Sequence, residues 1–383
     1  MSTIHIPLSQ STVQVSIIDT TLDANLPTAP FMGPPIAGFD RFQLIDYAFL
    51  ITHKDPTTGR ERRIMFDLGS PKDPDKDFPP TTNKVIKSFG GYVKIDKNVS
   101  EILTEHGVEL GSIEAVVWSH AHFDHVGRPS LFPYSTSLLV GPGVKRSYFP
   151  GYPVNAASPI LSREFSNRDV QELDFNASDL EIGSLKAIDY FKDGSFYLLS
   201  APGHAVGHIN ALARTTEDSF IYLAGDSFHH ASELRPHGGV GASLSDSLSL
   251  KLPSLSCPCS GSRFHLIHPL NERSRIPEHY RGYYDQVPND PDRVPFHTLS
   301  ETESGETMAV DLRAARGTVE AIQRFDSDPR VFVIAAHDTS LRGVLEYFPK
   351  TANEWRENGW KEEGYWLFLK EFGKAVEVAE ETQ

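Results

Sequence analysis

The chain has 383 residues, 39% hydrophobic and 23% charged, which is ordinary for a soluble globular protein and leaves room for one large domain or two smaller ones. Its 51 acidic and 36 basic side chains give a net charge of −15, which repels phosphate backbones and anionic bilayers; the expected partner is a small-molecule substrate, with no nucleic acid and no membrane. Two cysteines, Cys257 and Cys259 in SCPCSG, are too few for a disulfide framework, and the N-terminal MSTIHIPLSQ has no basic-then-apolar leader pattern, so the cytoplasm is the expected compartment.

Short β-rich runs bounded by Gly, Pro, Asp or Ser predict strands near 13–19, 46–51, 62–67, 115–119, 137–141, 195–200, 220–226 and 331–338. Helical spacing of Val99, Ile102 and Leu103, followed by Gly107, predicts a helix over 98–106, with His106 in a structural role at its end. Leu312, Ala315, Val319, Ile322 and Phe325 recur every three or four residues and predict a longer helix over 309–326; a further helix is expected near 364–374. Strands, a helix, more strands and another helix predict a layered α/β (α+β) protein with packed sheets. Residues 229–305 are rich in Ser, Pro, Gly, Arg and His and poor in apolar period, which suits an insertion on one domain spanning 1–383.

The chemistry concentrates in VVWSHAHFDHVGR. Three histidines and one aspartate fall within six positions directly after an apolar strand. Alternate positions of an extended loop project to one side, so His120, His122 and Asp124 can converge while the adjacent His125 points towards a second centre. Two neighbouring metals sharing the loop explain this spacing better than one. Further donors stand at other strand ends: His204 and His208 in SAPGHAVGH, Asp226 in FIYLAGD, and His337 in VFVIAAHD.

The order H-x-H-x-D-H, P-G-H-x-x-G-H, a strand ending in G-D and a strand ending in a lone His resembles the metallo-β-lactamase superfamily, and IMFDLG, with Asp67, resembles that superfamily's first motif. The resemblance covers roughly residues 13–228 and 309–345. It implies a four-layer αββα sandwich with metals at the edge between two sheets. It also implies that His120, His122 and His208 bind a first metal, that Asp124, His125 and His337 bind a second, that Asp226 bridges them, and that Asp67 orients the metal loop. His204 is given a turn-supporting role. Histidine with oxygen donors suits two Zn2+, and Mn2+ or Fe2+ is compatible.

Such a site would bring the pKa of a bridging water down towards about 7, so that a hydroxide attacks a carbonyl carbon while Asp124 passes a proton to the leaving group. Where lactonases of this superfamily carry a tyrosine three residues after the bridging Asp, this chain has His229. His229 or His230 is therefore a candidate donor to the substrate carbonyl, and Phe31 and Phe123 are candidate pocket residues, with Met32 and Phe39 near them. The insertion would sit over the metal edge and offers Phe264, Tyr280, Arg281, Tyr283 and Tyr284. The leading expectation is a fungal-type lactamase that opens a cyclic amide of a xenobiotic or secondary metabolite, as relatives acting on benzoxazolinone-type rings do. Lactonase or thioesterase activity, of polyketide or glyoxalase II type, is the alternative. A nuclease reading lacks the basic surface it needs, and a homodimer is compatible with the sequence.

Overall fold

The computed structural model describes residues 4–238, 244, 250–251, 258–259 and 261–382. Two six-stranded sheets form the centre. The first runs Val13–Asp19, Tyr47–Lys54, Glu61–Phe66, Ile113–Val117, Ser137–Val140, Val170–Glu172 in spatial order; the second runs Glu181–Ile182, Leu185–Asp189, Phe196–Ser200, Ile209–Arg214, Phe220–Leu223, Val331–Ile334. Glu61–Phe66 and Ile113–Val117 are parallel, and so are Phe220–Leu223 and Val331–Ile334. Each pair therefore delivers its following loops to one edge.

Alternation divides the side chains into layers. Ala115 and Val117 join Val15, Phe49, Phe66, Leu198, Ala211, Leu223 and Phe332 in the core between the sheets. Val116 faces the other way, onto Val99, Ile102 and Leu103 of the helix Val99–Glu105. On the far side, Leu199, Leu212 and Val333 meet Ala315, Val319, Ile322 and Phe325 of the helix Leu312–Asp326. Strands buried on both faces read as unbroken apolar runs, which is why AVVW and VFVI are so hydrophobic. Helix starts are fixed locally. Asn98 and Glu101 form a capping box, and Asp311 accepts the Ala314 N–H at 2.9 Å. The αββα sandwich expected from the sequence is the fold.

Two backbone hydrogen bonds stitch the two sheets together where the loops emerge, and a third ties two loops of the second sheet to each other. The Ile209 N–H donates to the Ser119 carbonyl at 2.8 Å, the Tyr47 N–H to Ala336 at 3.0 Å, and the Ala336 N–H to Gly225 at 3.1 Å. Side chains on these loops are thus carried by a cross-linked edge rather than by free loops.

A further apolar cluster lies apart from the sandwich. It joins Leu22, Leu26, Phe42 and Leu44 of a small three-stranded sheet to Phe264 and Phe296 of the 229–305 segment and to Trp366, Phe368 and Phe372 near the C-terminus. The helix expected at 364–374 is instead a three-ten run, Leu367–Phe372, leading into the helix Gly373–Glu381. Phe368, Leu369 and Phe372 bury their rings and chain in this cluster, so tertiary packing overrides the local spacing. Cys257 lies outside the described residues, and Cys259 is placed in the short strand Pro258–Cys259.

A buried ion pair anchors the start of the 229–305 segment to the end of the long helix. Arg235 Nε and Nη2 donate to the two carboxylate oxygens of Asp326 at 2.8 and 2.7 Å, with both side chains inaccessible. Burial opposes the charge on Asp326, but Arg235 outweighs it and holds the carboxyl well below its usual range. The pair's contribution is full above the unfolded aspartate's pKa of about 3.9 and is lost as pH falls through the depressed folded value. Arg235→Ala, which leaves the buried Asp326 carboxylate to His237, is expected to destabilise the protein by up to about 3–5 kcal/mol near neutral pH, as measured by urea unfolding.

Candidate metal centre

Every chemically interesting loop ends at the stitched edge. The strand Ile113–Val117 runs into Ser119, His120 and the one-turn helix Phe123–Val126, which carries Asp124 and His125. Gly127, at φ +48°, closes this turn against Leu68, whose carbonyl oxygen would lie 2.6 Å from any added Cβ. His204 follows Phe196–Ser200, Asp226 follows Phe220–Leu223, and His337 follows Val331–Ile334.

These side chains form two adjoining groups. One donor atom each from His120, His122, His204 and Asp226 lies within 4.8 Å of the others, and Asp124, His125 and His337 form a second such set. Asp226 faces both. Its Oδ1 is 3.0 Å from His125 Nε2 and 3.1 Å from His337 Nε2, while its Oδ2 is 3.7 Å from His120 Nε2 and 3.6 Å from His204 Nε2. Asp124 sits on the second group, 3.8 Å from His125 Nε2 and 3.6 Å from His337 Nε2.

The far ring nitrogens are held from behind. Asp67 follows Glu61–Phe66 in a left-handed conformation, φ +61°, that aspartate tolerates better than most residues. Its Oδ1 accepts the Ser119 N–H at 2.6 Å and its Oδ2 lies 2.9 Å from His125 Nδ1. His337 Nδ1 is 2.6 Å from the Ile45 carbonyl, and His120 Nδ1 is 3.0 Å from the Ser119 hydroxyl. A ring whose Nδ1–H is committed to an oxygen presents the Nε2 lone pair forwards.

Among the expected metal ligands, the geometry groups the two histidines of PGHAVGH the other way round. His208 is not in the first group; His204 is. The chain has already turned back by His208, whose carbonyl accepts the Ala201 N–H as the next strand begins. Its Nδ1 is 3.1 Å from the Ala201 carbonyl and its Nε2 accepts the Asp226 N–H at 3.1 Å, so both nitrogens are engaged with backbone. His204 Nε2 instead lies 3.0 Å from His122 Nδ1. The His208 ring supports Asp226 from below.

The electrostatics of the two groups differ. Burial pushes His120, His122 and His204 below the ordinary histidine value, His120 and His204 well below, so these rings are neutral. Burial acts on His125 and His337 too, but carboxylates prevail. Asp226 and Asp67 hold His125 well above its usual range, and Asp226 lifts His337 to about 9. Asp226 in turn is kept well below the carboxylate range, its burial outweighed by those two rings. His120 Nε2 is buried without a hydrogen-bond partner, and His125 Nε2 and Asp226 Oδ1 meet without hydrogen-bond alignment. Convergent nitrogen and carboxylate donors, several left unbonded in the interior, fit divalent cations, which would replace the protons held on the second group.

A narrow crevice opens beside the first group, lined by Phe31, His204, His229, Leu299, Ser300 and Met308, with Thr307, Ala309 and Ala315. His229 Nε2 is 3.8 Å from Asp226 Oδ2, and the Phe31 ring packs edge-on to His229 with centroids 5.0 Å apart. His230 turns away, onto Phe39, Phe368 and Phe372. Phe123 lies against Phe78, and Met32 pairs with Leu299 in a two-stranded ladder; neither these nor Phe39 lines the crevice. Of the aromatic groups in the 229–305 segment, Phe264 belongs to the C-terminal apolar cluster and Tyr280 and Tyr284 to a small cluster of their own; Arg281 pairs with Glu278.

The profile of the metallo-beta-lactamase superfamily matches residues 47–241. The chain belongs to the metallo-beta-lactamase superfamily. It is a hydrolase of that superfamily, and its most similar relatives include fungal enzymes. It is 37% identical over 380 residues to gamma-lactamase FDB1 of Fusarium pseudograminearum (strain CS3096), covering 96% of this chain and 84% of that protein. It is 38% identical over 384 residues to the metallo-hydrolase mfmC of Annulohypoxylon moriforme, covering 99% and 92%. Among solved structures, a mutant of B. thuringiensis AiiA with N-decanoyl-L-homoserine bound at its active site superposes with a TM-score of 0.55 at 13% identity, over 89% of this chain and 99% of that one, a likeness of fold.

Asp67 touches both the backbone of the His120–His125 loop and His125, so Asp67→Ala is expected to weaken any divalent-cation binding about 10–100-fold. Calorimetric zinc titration of the stripped protein measures this.

Proposed function

We propose that this superfamily hydrolase is a di-zinc enzyme that opens the ring of a small neutral cyclic amide. The observation that carries the two-ion reading is the division of Asp226, one carboxylate oxygen facing each group of donors. His120, His122 and His204 would hold one ion, Asp124, His125 and His337 the other, and Asp226 both. All donors are imidazole nitrogen or carboxylate oxygen, a set that suits zinc and is compatible with Mn2+ or Fe2+. Two such cations supply a water nucleophile at neutral pH and polarise the carbonyl under attack.

The chain's own residues do the rest. Asp124, whose Oδ1 and Oδ2 lie 3.8 and 3.6 Å from His125 and His337, is placed to pass a proton to the leaving nitrogen. His229 has its pKa pushed down to about 4 by burial, so its neutral ring can donate from Nε2 to the substrate carbonyl. Apart from the two histidines, the crevice is lined by neutral side chains, mostly apolar. That environment favours an uncharged ring over the anionic substrates that the protein's net charge already disfavours. Relatives named gamma-lactamase agree with a cyclic amide.

The deciding experiment is a hydrolysis panel of a γ-lactam, 2-benzoxazolinone, a γ-lactone and a thioester with zinc-reconstituted protein. Ring opening of the cyclic amides is expected to dominate; turnover of esters alone overturns the amide assignment.

Elemental analysis separates the two histidines of the PGHAVGH segment. The parent protein is expected to hold about two ions per chain. His204→Ala is expected to lose close to one of them and nearly all hydrolysis, whereas His208→Ala keeps both at lower thermal stability. The reverse pattern would return His208 to the ligand set.

A further inference from the structure

The Glu233 carboxyl lies in the interior, on the three-residue turn Ala231–Glu233, with its side chain inaccessible to solvent. Its Oε2 accepts the backbone N–H groups of His229 at 2.7 Å and His230 at 3.1 Å, and its Oε1 has no partner. Among the described residues no lysine or arginine pairs with it. Burial lifts its pKa to about 7 against the pull of the two N–H donors. An ionisable group held dry for the sake of two backbone donors is a poor source of stability, since smaller neutral side chains cap such turns.

Its position suggests another use. The two N–H groups it gathers belong to the histidines that face opposite ways, His229 towards Asp226 and His230 towards Glu371 and the Phe39–Phe372 packing. The His229 ring lies parallel to that of His337, centroids 6.2 Å apart. Its Nδ1 is buried without a hydrogen bond, 3.9 Å from Glu233 Oε2. The Phe31 and His204 rings meet it edge-on.

We propose that Glu233 is a positioning residue: by gathering the 229–230 backbone onto one carboxylate oxygen, it fixes the His229 ring with Nε2 towards the reaction centre. Glu233 thereby sets how well the scissile carbonyl is held. This rests on the assignment of His229 as the carbonyl-facing donor.

A double-mutant cycle tests it on whichever ring of the panel is turned over. Glu233→Ala is expected to lower kcat/KM about 100-fold, the scale of a misplaced catalytic group, with zinc content unchanged. Glu233→Gln, which keeps an oxygen acceptor for both N–H groups, restores most of it. The double variant with His229→Ala is no slower than His229→Ala alone. If Glu233→Ala does not fold, Glu233→Asp, which shortens the arm by one methylene, takes its place in the cycle. Losses that multiply in the double variant, or a Glu233→Ala enzyme as fast as the parent, overturn the proposal.

Imidazole NMR of the zinc-loaded protein, with the His229 signals assigned by their loss in His229→Ala, reads the same question without hydrolysis. Glu233→Ala or Glu233→Asp should shift or broaden the His229 signals and leave those of His337 in place; unmoved His229 signals overturn the proposal. A parent enzyme that opens no ring in the panel defeats the hydrolase assignment, and the NMR result then decides the role of Glu233 by itself.

Discussion

One carboxylate organises this molecule. Asp226 places one oxygen beside rings whose pKa burial lowers and the other beside rings whose pKa the carboxylate raises, and it can do so only if two sheets present their loop edges to each other at a fixed separation. The two backbone bonds between the sheets supply the separation, and Gly225 supplies the approach. Its φ of +49° turns the chain sharply after Phe220–Leu223, and an added Cβ would lie 2.9 Å from His208 Nε2. The His208 ring below and the stitched edge around it leave Asp226 little freedom.

The interior between and around the sheets makes that constraint consequential. In a low-dielectric environment a carboxylate and two imidazoles interact far more strongly than in water, so small differences in distance divide the rings into two classes. His120, His122 and His204 lose the competition with burial and stay neutral; His125 and His337 win it through Asp226. A lowered pKa on one side and a raised one on the other both reflect one requirement, positive charge beside Asp226. Asp67 extends the same logic outwards. It accepts a strained backbone to reach both Ser119 and His125, a cost that the loop's chemistry explains better than its stability does.

Much of this was legible in the sequence, for physical reasons. Strands buried on both faces are continuous apolar runs, and a donor residue shortly after such a run must emerge at a sheet edge; His120, Asp226 and His337 follow that rule, and the one-turn helix Phe123–Val126 carries Asp124 and His125 to the same edge. The histidines of PGHAVGH do not yield to it, because both lie in the turn between two strands. Which ring points outwards depends on where the chain re-enters the sheet, and that is set by the Ala201–His208 and Ile209–Ser119 backbone bonds, which no local pattern encodes. The strand Ile209–Arg214 that makes this re-entry was itself hidden, since INALAR lacks the β-branched density of its neighbours. Phe123 follows a different failure. Its place inside HFDHVG suggests the site, but a one-turn helix sends its ring outwards onto Phe78. Glu233 had no signal at all, because a carboxylate in a Ser- and His-rich stretch reads as solvated until its burial is seen.

The 229–305 segment then takes on a more specific meaning than a cover. Its two ends, His229 at one and Leu299 and Ser300 at the other, both line the crevice, while its described middle packs into apolar clusters of its own or with the N- and C-terminal segments. The Leu299–Met32 and Thr298–Gly33 pairs draw the later end towards Phe31. Arg235 and Asp326 pin the earlier end to the helix that also contributes Ala315 to the crevice wall. A pocket assembled this way can change its lining by substitution at the two ends while the middle secures the fold. Crevice lining and structural anchoring therefore fall on different residues of one segment, and the loops that carry the histidine and carboxylate groups need not change with either.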